Sequence, residues 1–174
     1  MPSIQDTAYP RLRSQVSQRE LAEIYTPTAD ELTLARGLTK GVVARLGFLA
    51  LLKTFQRLGY FVQLPDVPQT IVEHIAHTQG FLVTPEGLAN YDASGTRRRH
   101  VPIIRAHQRV HAFGAEGQMV LQRAIREAAH TKEDLADLIN VALEELVRQG
   151  FELPGLTPLH EEAQRGRVEV NRRF

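Results

Sequence analysis

Apolar residues recur along this chain at spacings of three and four, the period of a helix with one buried face. Ile71, Ile75 and Ala76 form one such set. The segment from Lys40 to Leu58 is different, because it is apolar nearly all round and so reads as the buried central helix of its domain. Helix punctuation surrounds these runs. Ser17-x-x-Glu20, Thr28-x-x-Glu31 and Thr131-x-x-Asp134 have the spacing of capping boxes, in which a hydroxyl takes free backbone N–H groups and an acid three residues on reaches back. Thr84-Pro85 and Thr157-Pro158 put proline at a first helical position, where its missing N–H costs nothing. Gly80 and Gly150 follow periodic runs, as helix-ending glycines do. These signals predict helices over 17–24, 28–37, 40–58, 68–79, 84–91, 98–111, 116–129, 132–149 and 157–169. No alternating β-branched run is bounded by a hairpin turn. The expectation is an all-α, compact multi-helix domain of about eight or nine helices.

The helices group into units that resemble helix-turn-helix pairs, one from Val67 to Tyr91 and one from Leu135 to Gly166. The expected organisation is a flexible N-terminal arm over 1–16, a first helical module over 17–92 and a second over 93–174, with one continuous domain as the alternative.

Composition narrows the chemistry. The chain has 174 residues and no cysteine, which excludes a disulfide scaffold, a thiol nucleophile and a cysteine-ligated zinc site. No apolar run reaches the ~18 residues of a membrane span, and the start lacks the layout of a signal peptide. These features fit a cytoplasmic protein, with no membrane partner and no cofactor expected. No Gly-rich phosphate loop, nucleophile elbow or His-Glu-x-x-His occurs. His107 and His111 have a spacing that zinc can use, but no nearby carboxylate completes a site, so no metal is expected.

The net charge of +1 conceals a sorting by segment. From Ala93 to Ala115 there are five arginines and no acid, whereas Glu127 to Glu162 holds nine acids against Lys132 and Arg148. Pairs such as Glu133–Asp137 and Glu144–Glu145 read as a solvated face or a partner surface. Arg45, inside the apolar helix, reads either as a paired structural arginine or as a phosphate contact. On a helical wheel Arg98, Arg105 and Arg109 fall within ~40° of one another, with Ile103, Ala106 and Val110 opposite. An arginine stripe opposite a packed face suits a phosphate backbone. Pro102 either kinks this helix or starts it, and in the second case Arg97, Arg98 and Arg99 form a basic lead-in.

These pieces, in order, resemble a known family. Arg45-Leu-Gly-Phe48 lies in a long apolar helix, followed by Leu58-Gly-Tyr-Phe61 and by Val67-Pro68 opening a helix. Tyr91, Thr96-Arg-Arg-Arg-His100 and Ile104-Arg105 come next, then Leu153-Pro154-Gly155 and Leu159 before a final helix. The set spans roughly residues 20–170 and is similar to the N-terminal region of the replicative transposases of the Tn-three family. Pro102 and the stretch His107 to Phe113 depart from it. The resemblance implies small helical modules that recognise the terminal inverted repeats of a transposon. It also implies that catalysis resides in a distant RNase-H-like domain with an Asp-Asp-Glu triad, so that this chain is not itself an enzyme.

The expected function is therefore sequence-specific binding of double-stranded DNA at transposon ends. The candidate contacts are Arg97, Arg98, Arg99, His100, Arg105 and Arg109, with Asn90 and Thr84 near base edges and Arg165 and Arg167 on the last helix. Other copies of the chain, or of the transposase, are further expected partners. The alternatives are an assembly module using the acidic block and a short regulator that occupies the same ends.

Overall fold

The computed structural model describes residues 7–82 and 85–173. Among these the protein is all-α, with no strand beyond one isolated bridge between His111 and Phe151. The helices are α1 (Gln18–Ile24), α2 (Ala29–Leu38), α3 (Val42–Leu58), α4 (Gln69–Thr78), α5 (Pro85–Ala93), α6 (Gly95–Gln108), α7 (Ala115–Ala128), α8 (Leu135–Arg148) and α9 (Leu156–Arg173). None of the described helices is long and apolar enough to cross a membrane. The chain forms two compact units, one of residues 11–108 and the other of 109–174 together with the described residues 7–10.

The unit 11–108 is built around α3. Every side chain from Leu46 to Phe55 is buried, and α2, α4, α5 and α6 pack on it. α4 and α5 both pack on α3, so Val67 to Tyr91 is less a helix pair than two helices sharing a third. Gly47 is required by the close approach of α5, since a Cβ there would lie 2.5 Å from Cδ1 of Tyr91. Gly59 closes α3 in the left-handed conformation at φ 82°, which glycine adopts without strain. Arg45 is half-buried, with Nε 3.4 Å from the Thr39 hydroxyl. The expected capping box at α2 is present, with Glu31 Oε1 accepting from the Thr28 backbone N–H and the Thr28 hydroxyl from that of Glu31. Glu31 does more than cap. It is buried, pairs with Lys53 Nζ at 3.1 Å and accepts from Gln56 at 2.6 Å. Burial raises its pKa, but the Thr28 N–H, Gln56 and Lys53 outweigh this and hold it below the usual carboxylate range.

The other unit is a packed set of α7, α8 and α9. Gly166 of α9 lies against Ile125 of α7, too close to admit a Cβ. Residues 7–10, the described end of the expected arm, are held in place. Tyr9 is buried and its hydroxyl donates to the Pro154 carbonyl at 2.8 Å, while the Ala8 N–H donates to Asn140 Oδ1 at 2.6 Å.

Two cap expectations are corrected. Asp134, not Thr131, caps α8 by accepting from the Ala136 N–H at 2.9 Å. The Thr131 hydroxyl instead donates to the Ala128 carbonyl and helps close α7. α9 begins at Leu156, which leaves Thr157 and Pro158 inside its first turn, where proline still forfeits no hydrogen bond.

Candidate nucleic-acid interface

The basic segment forms α6, which starts at Gly95, earlier than the arginine run suggested. Pro102 neither starts the helix nor ends it. It lies in the interior with its ring exposed, so the helix gives up one backbone bond on its solvent side.

The buried face of α6 is also not the one the sequence suggested. His100 and Ile104 are buried and Arg97 is half-buried, whereas Ala106 is exposed. His100 sits edge-on to Phe48 with ring centroids 5.1 Å apart, and its Nδ1 lies 2.8 Å from the Tyr91 hydroxyl. Burial, reinforced by the nearby Arg99 charge, pushes the His100 pKa below the ordinary histidine value, despite a hydrogen bond to the Leu38 backbone. A neutral ring can donate to Leu38 and accept from Tyr91 at once. His100 therefore serves the core of this unit. Burial likewise pushes the Tyr91 hydroxyl pKa well above its ordinary value.

Arg97 is likewise turned inward. Its guanidinium pairs with Asp92 and donates to the Val62 carbonyl at 2.9 Å, and only 12% of its side chain is exposed. It joins the end of α5 to the loop after α3. Arg105 reaches the same loop from the next turns of α6, with its guanidinium 5.5 Å from the centroid of Phe61. Phe61 in turn stacks on Phe55 of α3 at 4.2 Å. A cation over an aromatic face is attracted to the ring.

The solvent-facing arc of α6 therefore carries Arg98 and Arg99 together with Pro102 and Ala106, and the half-buried Arg105 lies at its edge. Arg98 and Arg99 are exposed, and Arg99 donates to the Thr96 hydroxyl at 3.1 Å. Arg109 does not extend this stripe, because α6 ends at Gln108 and Arg109 takes a left-handed φ of 56° in the other unit. For the same reason His107 and His111 do not share a helical face. Among the described residues no group of three or more His, Asp or Glu side chains could hold a metal ion.

The remaining candidates are not on α6. Asn90 is exposed on α5. Thr84 lies outside the described residues. Arg165 is exposed on α9 and pairs at 2.8 Å with Glu162, which also accepts from Gln118, and Arg167 is half-buried on the same helix. The buried Lys53–Glu31 pair and the Phe61 platform were not legible as site elements. The adjacent aromatics Tyr60 and Phe61 were the available signal for the second.

A protein family described as a domain of unknown function, DUF4158, matches residues 1–165 of the chain. No curated protein matches it. The match covers nearly the whole sequence, and the chain belongs to the DUF4158 family.

Proposed function

We propose that this member of the DUF4158 family is a sequence-specific DNA-binding domain of a transposition system, recognising the terminal inverted repeats of its element by binding alone. The family is found in transposase-related proteins. The observation that carries the reading is the arc of Arg98, Arg99 and Arg105 on α6, in a stretch from Ala93 to Ala115 that contains no acid. Guanidinium groups fixed on one side of a helix match the spacing of phosphates along a duplex strand, and they form bidentate, charge-assisted hydrogen bonds to phosphate oxygens. Arg97 and His100 support this contact from behind by fixing the helix on α5 and α3. Asn90, exposed on the neighbouring α5, offers an amide of the kind that reads adenine in the major groove. Arg165 and Arg167 have an auxiliary role, because carboxylates interleave with them on α9.

The test is a fluorescence-anisotropy titration of the intact chain against a transposon-end duplex and a scrambled duplex of the same composition. A preference for the end of about 10³-fold or more is expected. Equal binding to both would remove the specific reading, and no binding to either would remove the function.

A second reading is favoured by Met119 and Val147, large apolar side chains that are 59% and 63% exposed on α7 and α8. They stand in the acid-rich unit and suit an assembly surface with another copy of the chain. Sedimentation at rising protein concentration, without DNA, would show a dimer if this surface is used.

A further inference from the structure

Residues 11–15, Arg-Leu-Arg-Ser-Gln, belong to no helix or strand. Val16, which follows, joins Leu21 and α4 in lining a cleft. Arg11 and Arg13 are exposed while Leu12 is half-buried, so both guanidinium groups face solvent on the same stretch of chain. Neither makes a hydrogen bond or an ion pair among the described residues. No acid occurs from Thr7 to Arg19, so nothing close in sequence neutralises them.

This pair of cations differs from the α6 arc in shape. A helix is about 10–12 Å across and cannot enter a minor groove about 6 Å wide, whereas a single irregular strand can. Narrow A·T-rich minor grooves have an enhanced negative potential that attracts arginine. Ser14 and Gln15, which follow, are side chains that can hydrogen-bond to the acceptors on the groove floor.

We propose that residues 11–15 are a minor-groove arm that inserts Arg11 and Arg13 into an A·T-rich run of the duplex. The inference rests on the DNA-binding reading above and adds to it a second groove and a base-composition preference. It concerns Arg11 and Arg13, which lie outside α6 and make no hydrogen bond or ion pair among the described residues.

The test uses the intact chain and the R11A/R13A variant, with a duplex that the intact chain selects from a random pool. Two modified duplexes accompany it, one with the A·T run replaced by G·C pairs and one with inosine·C pairs. Inosine·C presents the major-groove edge of G·C, but it lacks the N2 amino group in the minor groove and so resembles A·T there. The selected sequences should contain an A·T run. The intact chain should lose roughly tenfold in affinity on the G·C duplex, the scale of a single base-pair preference, and keep its affinity on the inosine·C duplex. R11A/R13A should bind all three duplexes alike, at about the level of the intact chain on G·C, with an unchanged melting temperature. The inference is overturned if no A·T run is selected, if R11A/R13A binds as the intact chain does, or if the intact chain treats the G·C and inosine·C duplexes alike. Failure of the intact chain to bind any duplex would overturn the DNA-binding reading itself, and the arm with it.

Discussion

The two units of this protein make opposite use of their charge. Residues 11–108 hold twelve Lys and Arg against eight Asp and Glu, whereas the rest of the chain holds nine against twelve. In the first unit Glu31 and Asp92 are spent inside the fold, on Lys53 and Arg97. Among the described residues, Arg19–Glu23 is the one well-exposed pair of this unit. In the second unit Glu145 meets Arg148 in an exposed pair, while Glu162, itself buried, meets the exposed Arg165. The same residue types therefore have opposite effects. Glu31 and Asp92 are drawn inward, away from the exposed Arg98 and Arg99, while Glu145 and Glu162 each meet an exposed arginine on their own helix. Net charge alone conveys none of this, because what decides it is which partner each acid meets.

The largest expected effect tests the inward pairs. Lys53→Met leaves the Glu31 carboxylate buried without its cation, and should cost about 3 kcal/mol of stability in urea unfolding. Arg148→Ala, which breaks an exposed pair in the other unit, should leave the midpoint where it is. If both variants unfold alike, the contrast between inner and outer pairs is wrong.

The close approaches come next. Gly47→Ala drives a methyl group into the Tyr91 ring, and Gly166→Ala drives one into Ile125. Each should lower stability by about 1–3 kcal/mol, read as a lower thermal midpoint. An unchanged midpoint in either variant would mean that its unit packs less tightly than described.

A smaller effect separates the units by pH. His100 and His74, both in residues 11–108, have pKa values pushed down, each chiefly by burial. The unfolded chain, whose histidines titrate near the ordinary value of about 6.5, therefore takes up protons first as the pH falls. Stability should be fully present above that pH and decline as the pH drops through it toward the lower folded values. In His100→Gln the slope of stability against pH should flatten between pH ~7 and ~5, whatever the absolute loss. A slope equal to that of the intact chain would place the proton uptake elsewhere.

The helices themselves were legible because periodicity and caps are local signals. Thr28–Glu31, the apolar run of α3 and the proline at the start of α5 lead directly to the observed elements. Contacts between distant residues were not legible. Lys53 is 22 residues from Glu31, and nothing in the spacing says that they meet. The α6 face was misread for a related reason. His100 counts as polar on a helical wheel, but Tyr91 and the Leu38 backbone satisfy its ring, so it can occupy the core. Moving the buried side to His100 and Ile104 also changes the arginine set, which loses Arg97 to Asp92 and Arg109 to the end of the helix, and retains Arg98, Arg99 and Arg105. Thr131 was outcompeted by Asp134 because both can cap, and only the end of α7 decides between them.

The central claim is that Arg98, Arg99 and Arg105 of α6 hold DNA, and the salt dependence of affinity tests it most directly. The intact chain, R98A/R99A/R105A and R165A/R167A should be titrated with one duplex at several salt concentrations. Each phosphate contact contributes about −0.9 to the slope of log affinity against log salt. The account predicts that the α6 variant loses roughly 2–3 of that slope and that the α9 variant loses less. An unchanged slope in R98A/R99A/R105A, with the loss appearing in R165A/R167A instead, would contradict it.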